Sequence, residues 1–261
     1  MGGERRGRLL PPGQRWLWRR KWLVVLCLVC AAAIWLGWMR SQVRIGATHR
    51  LHATKTEIGE KVELARVGPL HLDCLFLSPE GDRVAFVIWR HGINDMWPFP
   101  TLHEMVYPSA VDGMWHLDTA TGAVLFHEEE VYHSPDWPQP ELVALGYADW
   151  LLVNRYIRKH RLGHRGDAGV TLPSGRAICI EVGRWWCPWR RELFVIPKDG
   201  EGPPVQLSRS SGEWELALTK DERSVVFRDR GALYLLRLDK PLSDYVSPPQ
   251  EAAGRARGDS K

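Results

Sequence analysis

The chain has 261 residues and a formal net charge of +4, from 35 Lys and Arg against 31 Asp and Glu. The positive excess is local, because residues 1–21 hold seven basic residues and one acidic residue. Residues 22–261 hold 28 basic and 30 acidic residues and carry a net charge of −2. A nearly neutral main body argues against a nucleic-acid-binding surface, so no nucleic acid is expected among the partners.

An uncharged apolar run of 18 residues, Trp22–Met39, predicts a transmembrane signal anchor over residues 22–39. A helix of this length spans about 27 Å, close to a bilayer core of about 30 Å. The basic residues before the run predict a cytoplasmic N-terminus, residues 1–21, and an extracytoplasmic C-terminal domain. A cleaved signal peptide is the alternative, since Ala31-Ala32-Ala33 offers small residues for cleavage.

Three segments follow the anchor. Residues 40–56 read as a polar linker, residues 57–246 as an all-β domain, and residues 247–261 as a disordered tail, because the tail has no apolar period. Between linker and tail, short apolar runs alternate with Gly, Pro and Asp turns. No amphipathic helical stretch longer than two turns is recognised, and residues 141–165 read as strand-like runs, so the domain is predicted to be all-β.

An internal repeat places a tight polar turn before a β-rich run. Its copies are FLSPEGDRVAFVIWR (Phe76–Arg90), the weaker VTLPSGRAICIEV (Val170–Val182) and LALTKDERSVVFRDR (Leu216–Arg230). In the first copy Pro79 presets a turn dihedral and Gly81 accepts a positive φ. Both faces of the run that follows are apolar, so each face is expected to be covered by a neighbouring layer.

A second motif follows each turn unit, as an apolar strand that leads into an Asp-containing turn. Its copies are MWHLDTATGAVLF (Met114–Phe126), ELFVIPKDGEGPPVQLS (Glu192–Ser208) and ALYLLRLDKPL (Ala232–Leu242). The two motifs together resemble the blade repeats of TolB-type β-propellers over most of residues 70–240. This resemblance implies a propeller-like array of small four-stranded antiparallel sheets that works as a binding platform, with no catalytic residue in the blades.

The repeat departs from that family in number and spacing. Residues 91–113 form a long insertion in the first copy, and only three to four blade-like units are visible. Val62, Leu64 and Val67 are expected to form an N-terminal strand that completes the last sheet. Otherwise the sheets form an open stack or need a partner chain to close.

The reactive side chains give no site signature. Cys27 and Cys30 lie in the apolar run, and Cys179 and Cys187 either bridge a hairpin or remain buried free thiols. The ten His residues form no metal-ligand spacing, so no metal and no cofactor is expected.

Aromatic insertions supply the candidate contact residues. GRWWCPWRR (residues 183–191) holds three Trp and three Arg, and residues 91–113 add further aromatics. Such side chains bind partners readily, although they can equally fill the core between sheets. The candidate partner-binding residues are Trp97, Phe99, Tyr107, Trp185, Trp186, Trp189 and Arg190.

The sequence as a whole predicts a membrane-anchored, extracytoplasmic binding or scaffolding protein of the cell envelope. Its expected partners are the lipid bilayer, through residues 22–39, and an envelope protein or glycan. The alternative is an envelope hydrolase acting on glycan or peptide, for which Glu128–Glu130 and Asp136 are candidate acids. No local nucleophile or metalloprotease motif supports that alternative, and no catalytic residue is assigned.

Overall fold

The structure is a computed structural model that describes residues 12–46, 51–68, 70–89, 107, 109–129, 135–184, 187–211 and 216–247. The chain divides into two compact units, one ending at Ser41 and the other beginning at Gln42. The first unit is the helix α1, Pro12–Ser41, and the second is the β domain.

Helix α1 contains the predicted apolar run and extends it at both ends. Its apolar part, Arg20–Ser41, has 22 residues, which is long and apolar enough to cross a membrane. The helix starts before the predicted anchor because the basic flank is rich in Arg, Trp and Leu, which all tolerate helical backbone. Helical structure therefore includes the basic residues Arg19, Arg20 and Lys21.

The β domain contains three antiparallel sheets among its described residues. The strands are β1 (His52–Lys55), β2 (Gly59–Arg66), β3 (His71–Leu77), β4 (Arg83–Trp89), β5 (Gly113–Asp118), β6 (Val124–Glu128), β7 (Val143–Ala144), β8 (Arg165–Thr171), β9 (Ala177–Arg184), β10 (Cys187–Pro197), β11 (Val205–Ser211), β12 (Leu216–Leu218), β13 (Ser224–Asp229) and β14 (Ala232–Leu238). Sheet A has the order β1-β2-β14-β13-β12, sheet B has the order β3-β4-β5-β6, and sheet C has the order β11-β10-β9-β8-β7.

The internal repeat forms one hairpin in each sheet, β3–β4, β8–β9 and β12–β13, and its three turns share one hydrogen-bond pattern. In each turn the first residue donates its N–H to the carbonyl of the residue five positions later, and its own carbonyl accepts the N–H of the residue three positions later. The three turns start at Ser78, Leu172 and Thr219. The fourth residue always has positive φ, at Gly81 (+74°), Gly175 (+70°) and Glu222 (+57°). The repeat seen in the sequence is therefore a repeat in backbone geometry.

The N-terminal strand completes the last sheet, as the sequence predicts. Strand β2 pairs antiparallel with β14, with Val62 opposite Leu235 and Ala65 opposite Leu233. Each sheet is otherwise a meander of consecutive strands, which together with this N-terminal strand gives the all-β, propeller-like architecture.

Sheet A is the central layer. One of its faces packs on sheet C through Val225, Phe227 and Leu236, which meet Leu193 and Leu207 in one apolar core. Strands β12 and β13 also lie against β3 of sheet B. The predicted burial of both faces of β4 is confirmed, because every residue from position 84 to position 88 is buried.

A helix, α2 (Tyr147–His160), occupies the segment for which the sequence predicts strand-like runs, and that prediction is wrong. Its buried residues Val153, Tyr156 and Ile157 lie on one helical face and cover sheet C on the side away from sheet A. The Asp149 carboxylate accepts the N–H of Gly146 at 3.4 Å, which stabilises the start of the helix. Exposed Leu151 and Leu152, directly before Val153, make the segment resemble a strand in sequence.

The predicted linker, residues 40–56, also contains regular structure. Strand β1 forms an exposed edge strand on β2, and Arg44 forms an isolated bridge with Arg66. The tail beyond Ser247 lies outside the described residues. The β domain has a further helix, the short α3 (Ser243–Val246), which follows β14 and packs against the core between sheets A and C.

Cys179 is a buried free thiol. On β9 it lies opposite Val195 of β10, whereas Cys187 lies opposite Arg184. The two cysteines are thus separated by about five positions along the ladder, or roughly 17 Å, which is well beyond disulfide reach. Burial raises the pKa of the Cys179 thiol, so the group stays neutral.

Candidate functional site

A cavity of about 480 Å³ opens between sheets A and C, within the size range of small-molecule and peptide side-chain pockets. We call it the side pocket. Its apolar residues include Ile58, Val205, Leu207, Phe227 and Leu236, and its polar residues are Thr56, Glu57, Lys61, Gln206, Arg209 and Asp229. An apolar floor with a few charged groups is the usual composition of a binding site.

The Lys61 side chain crosses the wall of the side pocket. Its ammonium nitrogen lies 3.9 Å from the ring centre of Tyr234 and 5.1 Å from that of Phe227. It ends 3.3 Å from a carboxylate oxygen of Asp229. The side chains of Lys61 and Asp229 are only 21% and 13% exposed, so both charges are held mostly out of water. Each charge requires its partner because desolvation of a lone ion is costly.

A backbone N–H and a side-chain hydroxyl of sheet C hold the other oxygen of the Asp229 carboxylate. That oxygen accepts the backbone N–H of Arg209 at 3.0 Å and lies 3.4 Å from the Ser208 hydroxyl. The carboxylate therefore links β13 to β11 and holds the pocket walls at a fixed separation. A preformed pocket of this kind avoids the ordering cost that a ligand would otherwise meet on binding.

Tyr234 supplies a second polar link beneath the ammonium group. Its hydroxyl donates to the Glu63 carboxylate at 3.2 Å, and Glu63 pairs with Arg66 at 3.0 Å. Burial, reinforced by the neighbouring Glu63 charge, raises the pKa of Tyr234 to about 12. The phenol therefore remains neutral and keeps its hydrogen bond throughout the physiological range.

A second cavity, of about 640 Å³, lies where the repeated turns of the three sheets meet. Pro79, Pro173 and Lys220 line it, and each is the second residue of its own turn. Pro138 and Pro140 complete much of its wall. Four of these five residues are prolines, whose fixed φ makes the cavity wall rigid. We call this cavity the end cavity.

His116 of β5 is buried, and neither ring nitrogen has a hydrogen-bond partner among the described residues. Its ring stacks on Phe126 with a centroid distance of 3.7 Å and meets the edge of Trp137 at 5.8 Å. Burial lowers the pKa of His116, opposed by the Glu128 charge and assisted by Arg83. The histidine behaves as a neutral aromatic core residue.

Most candidate contact residues lie outside the described part of the chain. Trp97, Phe99, Trp185 and Trp186 are not described at all, and for Trp189 and Arg190 only the backbone of β10 is described. Tyr107 is described and buried, with 3% of its surface exposed, and burial raises its pKa. Tyr107 therefore does not present a contact surface.

Sequence reasoning missed both cavities. Lys61 and Asp229 are 168 positions apart in the chain, and nothing local in either segment marks them as a pair. Glu128 and Asp136, two of the acids considered for a hydrolase, lie outside the linings of both cavities. Within the described ranges, no group of three His, Cys, Asp or Glu side chains is arranged to hold a metal ion.

No protein-family model matches the chain, and no curated protein matches it. Among solved structures, it is similar to an oligogalacturonate lyase in complex with manganese, with 11% identity and a TM-score of 0.21 over 70% of this chain and 42% of the other. It is also similar to TolB from Acinetobacter baumannii, with 10% identity and a TM-score of 0.16 over 77% of this chain and 43% of the other. The chain spans less than half the length of these two proteins. Its description as propeller-like rests on its own sheet topology.

Proposed function

We propose that the chain is a membrane-anchored, extracytoplasmic binding or scaffolding module that holds a partner at the side pocket. Helix α1 would anchor the module in the bilayer, with the basic N-terminus in the cytoplasm because seven basic residues precede the apolar run. The partner would be an envelope protein or glycan. Trp97, Phe99, Trp185, Trp186, Trp189 and Arg190 remain predicted contact residues.

The observation that carries the proposal is the mostly buried Lys61–Asp229 pair in the wall of an open pocket whose lining is half apolar. A purely structural contact between sheets gains little from such a pair, because replacement by apolar side chains is often neutral or stabilising. A binding site, in contrast, uses a few fixed charges to orient a ligand on an apolar floor. The arrangement therefore supports binding better than a spacer role.

Site-specific photo-crosslinking in intact cells tests the binding role. A photoreactive residue replaces Gln206, which is exposed and lines the side pocket, and in a control replaces Asp239, which is exposed and absent from its lining. We expect one discrete adduct from position 206 and none from position 239. Lys61→Met should remove the adduct, whereas Lys240→Met, at an exposed lysine elsewhere, should leave it intact. An adduct that survives Lys61→Met would contradict the proposal.

Fractionation tests the anchor separately. The full chain should stay with membranes after alkaline carbonate extraction, and protease added outside the cytoplasm should digest the β domain. Recovery of the whole chain in the soluble cytoplasmic fraction would refute the membrane placement.

A further inference from the structure

All three sheets have their ends aligned, so the β domain has two distinct ends. Arg66 of β2 lies opposite Ala232 of β14, which is also paired with Asp229 of β13. The contact from the Arg209 N–H to Asp229 brings the same end of sheet C alongside. At the other end, the three repeated turns meet around the end cavity. The chain enters the β domain at the first end, because Arg44 forms a bridge with Arg66.

The end at which the chain enters is rich in exposed cationic side chains in sheets A and C. We call it the basic end and define it by Arg44, Arg161, Arg209 and Arg230, which are all exposed. Arg161 belongs to the connection between α2 and β8, and Arg230 to the turn between β13 and β14.

Among the described residues of sheets A and C, the acidic side chains at the basic end are few and differently placed. Glu63 and Asp229 are largely buried and pair with Arg66 and Lys61. Asp112, Glu128 and Glu129 lie at the same end of the domain, in or next to the strands of sheet B. The turns at the opposite end mix both signs: Lys198, Asp199, Glu201, Lys220, Asp221, Arg223, Asp239 and Lys240. In the part of sheets A and C that the structure describes, the excess of exposed cationic side chains therefore lies at one end.

We propose that the basic end docks on the headgroups of anionic phospholipids in the leaflet from which the β domain emerges. This docking surface rests on the proposed membrane anchor. Arginine binds phosphate with a planar fork of donors, and each basic side chain near an anionic surface contributes about 1 kcal/mol. A helix that tethers the domain to the bilayer also raises the local concentration of headgroups, so weak individual contacts suffice.

Hydrogen exchange on the full chain, reconstituted through α1 into lipid nanodiscs, tests the docking. Discs of phosphatidylcholine alone are compared with discs that also contain phosphatidylglycerol. Amides at positions 161–166 and 228–232 should exchange more slowly in the anionic discs, and raised salt should remove the difference because it screens exposed charges. The opposite end should exchange equally in both discs.

Charge-removal variants provide the matched comparison. Replacing Arg161, Arg209 and Arg230 by Gln should weaken the docking equilibrium about 100-fold, from three contributions of about 1 kcal/mol. The control carries the same number of charge removals at the opposite end, by Gln at Lys220, Arg223 and Lys240, and should keep the protection. Denaturant unfolding of both variants establishes that they remain folded.

The outcomes separate the docking surface from the anchor. A chain that fails to enter the discs overturns the anchor and the docking surface together. A chain that enters but shows identical exchange in zwitterionic and anionic discs overturns the docking surface alone, and assigns the arginines to an acidic protein partner instead. Protection that persists in the arginine variant also overturns it.

Discussion

The backbone conformation of Glu222 destabilises the fold, whereas its two side-chain hydrogen bonds stabilise it, and mutation can separate the two contributions. It is 1% exposed and occupies the positive-φ position that glycine holds in the other two turns. Its carboxylate accepts the backbone N–H of Ser174 at 2.7 Å and that of Ser243 at 3.0 Å. It thereby joins the repeated turn of sheet C to helix α3. A non-glycine residue in this conformation costs roughly 1–2 kcal/mol, and the two hydrogen bonds offset that cost.

Glu222→Ala removes both acceptors and keeps the strained backbone. The N–H of buried Ser243, left without a partner, costs about 1–3 kcal/mol, and loss of the part-buried hydrogen bond from exposed Ser174 to the carboxylate costs about 1 kcal/mol more. The free energy of unfolding should therefore fall by about 3 kcal/mol. Glu222→Gly loses the same two bonds but relieves the backbone strain, so it should be about 1 kcal/mol more stable than the alanine variant. The expected order of stability is wild type, then Gly, then Ala.

Urea unfolding of the full chain, followed by tryptophan fluorescence, measures the order. The alanine variant should also melt roughly 10 °C below wild type, since each kcal/mol shifts the midpoint by about 2–4 °C in a domain of this size. Asp239→Ala, at an exposed acid near the same end, is the control and should stay within about 0.5 kcal/mol of wild type. If the two Glu222 variants lose equal unfolding free energy, the backbone at position 222 is not strained. If Glu222→Ala loses less than about 1 kcal/mol, the two hydrogen bonds do not stabilise the fold as argued.

Three further predictions concern a histidine, a glycine and two cysteines. Because burial lowers the pKa of His116, the unfolded chain binds the proton more readily than the folded chain, and the free energy of unfolding should decline as pH falls below about 6.5. In a pH series of urea unfolding, His116→Phe should remove this part of the decline. If the dependence of stability on pH is the same in the variant as in wild type, the prediction is wrong. Gly231→Ala should cost about 2 kcal/mol, because φ is +76° and the added carbon would lie 2.8 Å from the carbonyl oxygen of Gly68; a midpoint equal to wild type would contradict this. In the native chain, a thiol reagent should modify exposed Cys74 but leave buried Cys179 intact until denaturant is added, as peptide mass mapping can verify.

The repeated turns show what local sequence can determine. Gly81 follows Pro79 in the first copy, and that pair already specifies a tight turn with positive φ. The third copy has Glu222 at the corresponding position, and no local rule predicts a glutamate there, because the stabilising contacts come from Ser174 and Ser243. The turn in the third copy is therefore predicted from its similarity to the other two copies and not from its own composition.

The errors came from competing patterns and from distance along the chain. In α2 the buried spacing of Val153, Tyr156 and Ile157 is helical, but adjacent Leu151 and Leu152 hide it among apolar neighbours. The Lys61–Asp229 pair depends on β2 and β13 meeting in one sheet, which only the complete topology provides. The sequence therefore predicts that β2 completes the last sheet, but it does not predict the pocket that β2 helps to form.

The insertion of β2 beside β14 has a consequence for biogenesis. Val62 emerges early, yet its partner Leu235 lies 173 positions later, so sheet A cannot be completed until almost the whole polypeptide has been made. Sheets B and C, built from contiguous strands, can assemble first while β2 waits with an unsatisfied edge. A tether at the start of the chain would keep that waiting strand beside its site of synthesis, and a premature stop before position 232 would leave it permanently open to aggregation.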